Sequence, residues 1–160
     1  MDLDAVDLRL LELLQEDASR SNLQLAEAAS VSPATALRRV RRLLEGGVIE
    51  RRVALLAPEV MPGGGLTAIA EVTLDRQGAE HLAAFEQRAR DDAAVQQCYR
   101  VSPGPDFVLV LWVADMPAYH ALVQRLFTQD ANVRNVKAFF SVHRAKFDPR
   151  ITLSSAPPAP

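Results

Sequence analysis

"SVSPATALRRVRRLLEGGVIERRVALLAP", residues 30–58, decides how the first third of the chain is read. Ser32 stands where an N-cap belongs, and Pro33 takes the first helical position, where a missing N–H costs nothing. The helix so started is expected to stop at Gly46-Gly47. Six arginines (Arg38, Arg39, Arg41, Arg42, Arg51 and Arg52) fall within positions 38–52. On a helical wheel Leu37, Val40 and Leu44 share one side with Pro33 and are expected to pack inward. Thr35, Arg38, Arg39 and Arg42 occupy the other side. Arg41 lies nearer the apolar edge and is expected to brace the domain.

Two shorter helices precede this one. In "LDAVDLRLLELLQEDAS" the residues Val6, Leu10, Leu13 and Leu14 recur at helical spacing behind Asp4 as cap. In "SNLQLAEAAS" Ser21 and Gln24 form a capping-box pattern ahead of Leu25 and Ala26. A short helix, a tight turn and a capped helix with an outer face of Thr and Arg is the arrangement that enters the major groove of DNA. A solvated charged face is the alternative. Against it, no acid is interleaved within 38–42, the helix closes a compact trio, and Arg51 and Arg52 follow on an extended segment read as a two-stranded wing. Arginine suits this work because its planar fork bridges phosphate oxygens or the O6/N7 edge of guanine.

The charge distribution points the same way. The whole chain of 160 residues carries a net charge of -2. Residues 1–32 hold seven acids against two arginines, net -5, whereas residues 33–53 hold six arginines against Glu45 and Glu50, net +4. Such a reversal suggests a face reserved for an anion. An apolar content of 49% supports a globular core. The lone Cys98 excludes an internal disulfide framework and multi-cysteine metal sites. The acidic start MDLDAVDL is not a signal peptide, and "FVLVLWVA" (107–114) is far short of the roughly 20 residues of a spanning helix. A soluble, cytoplasmic protein with no membrane partner is expected, and no metal, cofactor or nucleophile set is apparent.

Past Pro58, Pro62 and Gly63-Gly64-Gly65 the pattern changes. The expected domains are 1–54 for DNA binding, 55–65 as hinge, 66–147 as a second domain and 148–160 as a mobile Pro- and Ser-rich tail. "LTAIAEVTLD" alternates as a strand; "QGAEHLAAFEQRARDD" is helical; "VQQCYRVS" and "DFVLVLWVAD" are strands around a Pro-Gly-Pro turn; "MPAYHALVQRLFTQD" is helical; "VRNVKAFFSVHRAKF" is a last strand. This β-α-β-β-α-β order predicts an α+β, ferredoxin-like sheet with two helices on one face. Phe107, Leu109, Leu111 and Val113 point one way along the third strand, and Val108, Val110 and Trp112 the other. Helices cover only one side, so a second copy packed on Val108, Val110 and Trp112 about a two-fold axis is expected.

These stretches together resemble the leucine-responsive regulatory protein/AsnC family of feast/famine transcription regulators, over residues 3–147. The resemblance implies a winged helix-turn-helix domain joined through a hinge to a ferredoxin-like effector (RAM) domain. It also implies dimers or octamers, double-stranded DNA as partner, and an amino-acid effector bound between subunits. Ser32, Pro33, Thr35, Arg38, Arg39 and Arg42 match the family's recognition helix, with Arg51 and Arg52 standing where its Gly-Tyr would be. Ser102, Pro103, Gly104 and Asp106 match the effector-holding loop. There Pro103 replaces a glycine, and flanking prolines remove backbone donors. Val136 and Ala138 stand near that site in place of threonines. Ser30 replaces a turn glycine. Sirohaem decarboxylases share this architecture and use His and Arg; here His81, His120 and His143 are the available histidines, and each reads as an exposed surface residue. An effector-independent architectural DNA-binding protein is a further alternative.

Overall fold

The computed structural model describes residues 2–153, and the chain divides into two compact units. The first contains the residues up to Leu55 together with the segment from Lys146; the second is Leu56–Ala145.

Three helices build the first unit. The first, α1 (Ala5–Glu16), starts with a reciprocal box: the Asp4 carboxylate accepts from the Asp7 N–H, and the Asp7 carboxylate accepts from the Asp4 N–H. Next, α2 (Asn22–Ala28) opens with Ser21 and Gln24 reciprocating in the same way. Ser32 caps α3 (Pro33–Glu45), with Pro33 in its first turn. Each cap satisfies helix-terminal N–H groups that would otherwise lack partners. Leu10, Leu13, Leu14, Leu25, Ala26, Ala36 and Val40 form the core. Past α3, Gly47 takes φ +71°, the left-handed conformation that turns the chain out of a helix. The stretch after it contains no strand, so the two-stranded wing expected there is not formed within the protomer. Its exposed residues 50–57 face no neighbouring strand to pair with.

Residues 148–153, expected to belong to a mobile tail, lie instead against α1. The Gln15 side-chain amide donates to the Ile151 carbonyl (3.1 Å) and accepts from the Ile151 N–H (2.7 Å). The rest of that expected tail, 154–160, lies outside the described residues.

The second unit is a four-stranded antiparallel sheet in the order β2-β3-β1-β4, with β1 Leu66–Leu74, β2 Val95–Arg100, β3 Phe107–Val113 and β4 Val133–Phe140. Helices α4 (Ala79–Asp91) and α5 (Met116–Leu122) are the two crossovers, and α5 continues through a π-helical stretch, Val123–Thr128. This is the ferredoxin-like arrangement that the element order predicts. Alternation along the central strands separates two faces. Ala68, Ala70, Val72 and Leu74 of β1, with Phe107, Leu109, Leu111 and Val113 of β3, are buried with Phe85, Ala89, Leu122, Leu126 and Phe127. Phe85 and Phe107 stack at 4.7 Å between ring centroids. Each of the larger side chains, Val, Leu or Phe, contributes about 1.5–3 kcal/mol when fully buried.

The opposite face carries Thr67, Ile69 and Glu71 beside Trp112, Val110 and Val108, with Phe139 across from Ile69 and Tyr99 across from Val108. No element of this unit covers it: Ile69, Tyr99 and Phe139 are exposed, and the three β3 residues are half-buried. Gly65 leaves room for the indole there, since a Cβ at that position would lie 2.6 Å from Trp112.

Ser30, in the turn before α3, has φ +54°, a region that disfavours residues with a Cβ. Ser30→Gly should therefore stabilise the first unit by up to about 1 kcal/mol, the relief outweighing glycine's extra unfolded-state entropy. A thermal melt should show a rise of a few degrees; an unchanged or lower midpoint would contradict strain at this turn.

Candidate nucleic-acid interface

The geometry of α3 corrects the wheel read from sequence. Ala36, Val40 and Leu43 are buried, at spacings of four and three residues. Leu37 and Leu44, expected inside, are 43% and 38% exposed, and Pro33 is also exposed. Ala36, fully buried, leaves α3 free to approach its neighbours closely on that side. Opposite that stripe lie Ala34, Arg38, Arg41 and Glu45, all exposed.

The four arginines of α3 consequently divide differently from expectation. Arg39 faces α1: its Nη1 donates to Asp4 (2.6 Å) and to Asp7 (2.9 Å). Arg42 joins it through Nη2 to the second Asp7 oxygen. Asp7 is fully buried, the one buried charged side chain among the described residues. Burying a carboxylate is costly unless charged donors meet it, and here two do. The Arg39 side chain is 20% exposed against 44% for Arg42, and the Arg39 Nε is buried with no hydrogen-bond partner among the described residues. Hydrogen bonding to Arg39 is the main reason the Asp4 carboxyl sits below its usual range, and Asp4 in turn pushes the guanidinium of Arg39 up. Arg39, expected on the outer face, is thus the brace. Arg41, expected to brace, is exposed, and neither it nor Arg38 has an ion-pair partner among the described residues.

At the head of α3, the Ser32 hydroxyl accepts from the Thr35 N–H (3.2 Å) and donates to the Thr35 hydroxyl (2.9 Å). Both side chains are therefore engaged in shaping the helix start. Arg51 and Arg52 are exposed on the extended segment, with Arg51 only loosely beside Glu50 at 3.9 Å. The charge reversal along the sequence is thus partly internal, since two acids of the first block neutralise two arginines of the second. Arg38, Arg41, Arg51, Arg52 and the outer edge of Arg42 carry what remains. The signal that sequence reasoning passed over is the matched spacing: acids at 4 and 7, the cap and first turn of α1, and arginines at 39 and 42 on α3.

In the second unit, Ser102, Pro103, Gly104 and Asp106 share one loop between β2 and β3. The Asp106 carboxylate accepts from the Leu74 N–H (2.7 Å) and from the Gln77 amide (3.3 Å), and its own N–H donates to the Val72 carbonyl. It closes the end of the β1–β3 ladder where β3 has run out. Ser102, Pro103 and Gly104 are exposed. Val136 and Ala138, expected near this loop, lie one strand away from it, across β1. They pair with Val72 and Ala70 on the far side of β1 and pack against the hydrophobic core. His81 and His120 lie on different helices and His143 follows β4, and no group of three His, Cys, Asp or Glu able to hold a metal occurs among the described residues. Burial raises the Cys98 thiol above its usual range. No helix among the described residues is long and apolar enough to cross a membrane.

Residues 3–50 match the family model for a winged helix-turn-helix DNA-binding domain, and residues 67–151 match that for the Lrp/AsnC ligand binding domain. An HTH-type transcriptional regulator of Haemophilus influenzae is 35% identical over 94% of this chain and 89% of its own length. The Bkd operon transcriptional regulator of Pseudomonas aeruginosa is 32% identical over 98% of both chains. Among solved structures, a transcriptional regulator from Neisseria meningitidis in complex with L-Met superposes with a TM-score of 0.83 at 26% identity, over 94% of this chain and 97% of that one. With a capped helix-turn-helix bearing exposed arginines and a ferredoxin-like second unit, this chain belongs to the Lrp/AsnC family of helix-turn-helix transcriptional regulators.

Proposed function

We propose that this regulator reads double-stranded DNA through Arg38 and Arg41 at the outermost row of α3, with Arg42, Arg51 and Arg52 on flanking phosphates. The observation that carries this reading is the exposed, unpaired state of Arg38 and Arg41 on a helix whose other side is clamped. Residues 1–54 serve as the DNA-binding domain, 55–65 as the hinge and 66–147 as the effector domain, and the protein works in the cytoplasm without catalysing a reaction. Arg39 is removed from the contacts expected at first, and Ser32, Pro33 and Thr35 set the start of the helix rather than read bases. Full-length Arg38→Ala and Arg41→Ala, tested by gel shift on a duplex selected by the wild-type protein, should each bind about tenfold or more weakly, as one lost base contact implies. Binding equal to wild type would overturn the assignment.

The uncovered sheet face supports a homodimer. Val108, Val110 and Trp112, flanked by Ile69 and Phe139, form an apolar patch that a second copy buries, and such dimers assemble further toward octamers. Two heads on a two-fold axis then span half-sites about 10 bp apart or a multiple of it. Trp112→Glu puts a charge into that patch. Sedimentation velocity should show a shift to smaller species while circular dichroism stays native; unchanged sedimentation would argue against this face.

The L-Met complex of the Neisseria regulator supports an amino-acid effector bound between subunits at the loop of Ser102, Pro103, Gly104 and Asp106. Since a ligand favouring the folded state raises its melting temperature, a thermal-shift screen of the twenty amino acids, L-Met first, should find at least one that raises the midpoint. No response at millimolar concentration would mean that the loop does not hold an amino acid.

A further inference from the structure

The first unit holds a feature that DNA binding as such does not require: a fully buried carboxylate, Asp7, that with Asp4 holds one arginine of the recognition helix and binds a second in part. A helix meant only to attract phosphate would leave all four arginines in water. Here Arg39 is held between Asp4 and Asp7, with its Nε buried. Each arginine that reaches a phosphate adds affinity regardless of sequence, since phosphate contacts carry no base information. Withdrawing one lowers that background and leaves base contacts a larger share of the binding. The pairing also fixes the rotation of α3, because Arg39 and Arg42 lie three residues apart and both must meet the same carboxylate. This rotation places Arg38 and Arg41 outermost.

We infer that Asp7, assisted by Asp4, is a positioning residue for DNA recognition: it holds Arg39 out of the interface and aims Arg38 and Arg41, so that sequence discrimination depends on a buried acid that touches no DNA. This deepens the proposed reading of α3 and rests on it for the aim of Arg38 and Arg41, whereas the withdrawal of Arg39 can be read separately.

The test measures binding of the full-length protein by fluorescence anisotropy over a salt series, on a random-sequence duplex and on the duplex selected by the wild type. Asp7→Asn keeps the size of the side chain and removes its charge. Its expected result is tighter binding to the random duplex, with the slope of log K against log [salt] steeper by about 0.9 for each arginine released. The ratio of selected to random affinity should fall about tenfold. Asp7→Asn combined with Arg39→Gln should lower the slope again by about 0.9, the share of Arg39. A carboxylate that merely stabilised the fold would weaken both duplexes together and leave the slope unchanged, and that outcome overturns the inference. If circular dichroism shows Asp7→Asn unfolded, Asp4→Asn and Arg39→Gln decide. Asparagine still caps α1 while loosening Arg39, so the slope should steepen. Arg39→Gln alone should leave it as in the wild type, and a slope shallower by about 0.9 would place Arg39 on a phosphate and refute the withdrawal. Should the Asp7 results hold while Arg38→Ala and Arg41→Ala bind normally, the reading of α3 fails and the withdrawal of Arg39 stands.

Discussion

A carboxylate with no access to water organises the DNA-binding unit. Asp7 lies fully buried between α1 and α3, and its two oxygens meet Arg39 and Arg42. A buried charge tolerates few arrangements, because leaving it unpaired costs several kcal/mol whereas apolar contacts permit small rotations at little cost. Asp7 therefore sets which side of α3 faces inward. Once that is set, Ala36, Val40 and Leu43 fill the core, Leu37 and Leu44 are left outside, and Arg38 and Arg41 point away from the domain. The same acid serves the start of α1, accepting from the Asp4 N–H while Asp4 accepts from its own. One group thus links the cap of the first helix to the rotation of the third.

The second unit rests on alternation instead of charge. Its central strands β1 and β3 present one set of side chains to α4 and α5 and another to the outside. Asp106 completes this sheet by accepting from the Leu74 N–H beyond the end of β3. A residue in the loop matched to effector binding is therefore already committed to the fold, as Ser32 and Thr35 are at the head of α3. In both units, some side chains that a family pattern marks as functional are bonded to nearby backbone or to each other. The groups left exposed are Arg38 and Arg41 in one unit and the apolar sheet face in the other.

Much of this was legible in local signals. Asp4, Ser21 with Gln24, Ser32 with Pro33, and Gly46-Gly47 mark helix ends through interactions within a turn, so their positions follow from spacing alone. The β-α-β-β-α-β order and the two faces of "FVLVLWV" follow from periods of 3.6 and 2. The rotation of α3 was not legible in the same way. A wheel weighted by hydrophobicity favours Leu37 and Leu44 over Ala36, and only close packing against the neighbouring helices favours the alanine. The role of Arg39 was hidden because its partners lie 35 and 32 residues away. The place of Val136 and Ala138 depended on strand register, which puts them against the core beside β1.

The sequence by itself therefore determined where elements begin and end, their order, and which chemistry was present, because capping, turn and periodicity signals act over a few residues. Only the tertiary structure decided which arginines are available and which are bound. That choice depends on whether a buried carboxylate on one helix meets a guanidinium on another, and such a meeting is fixed by packing, whatever the local preference of either segment.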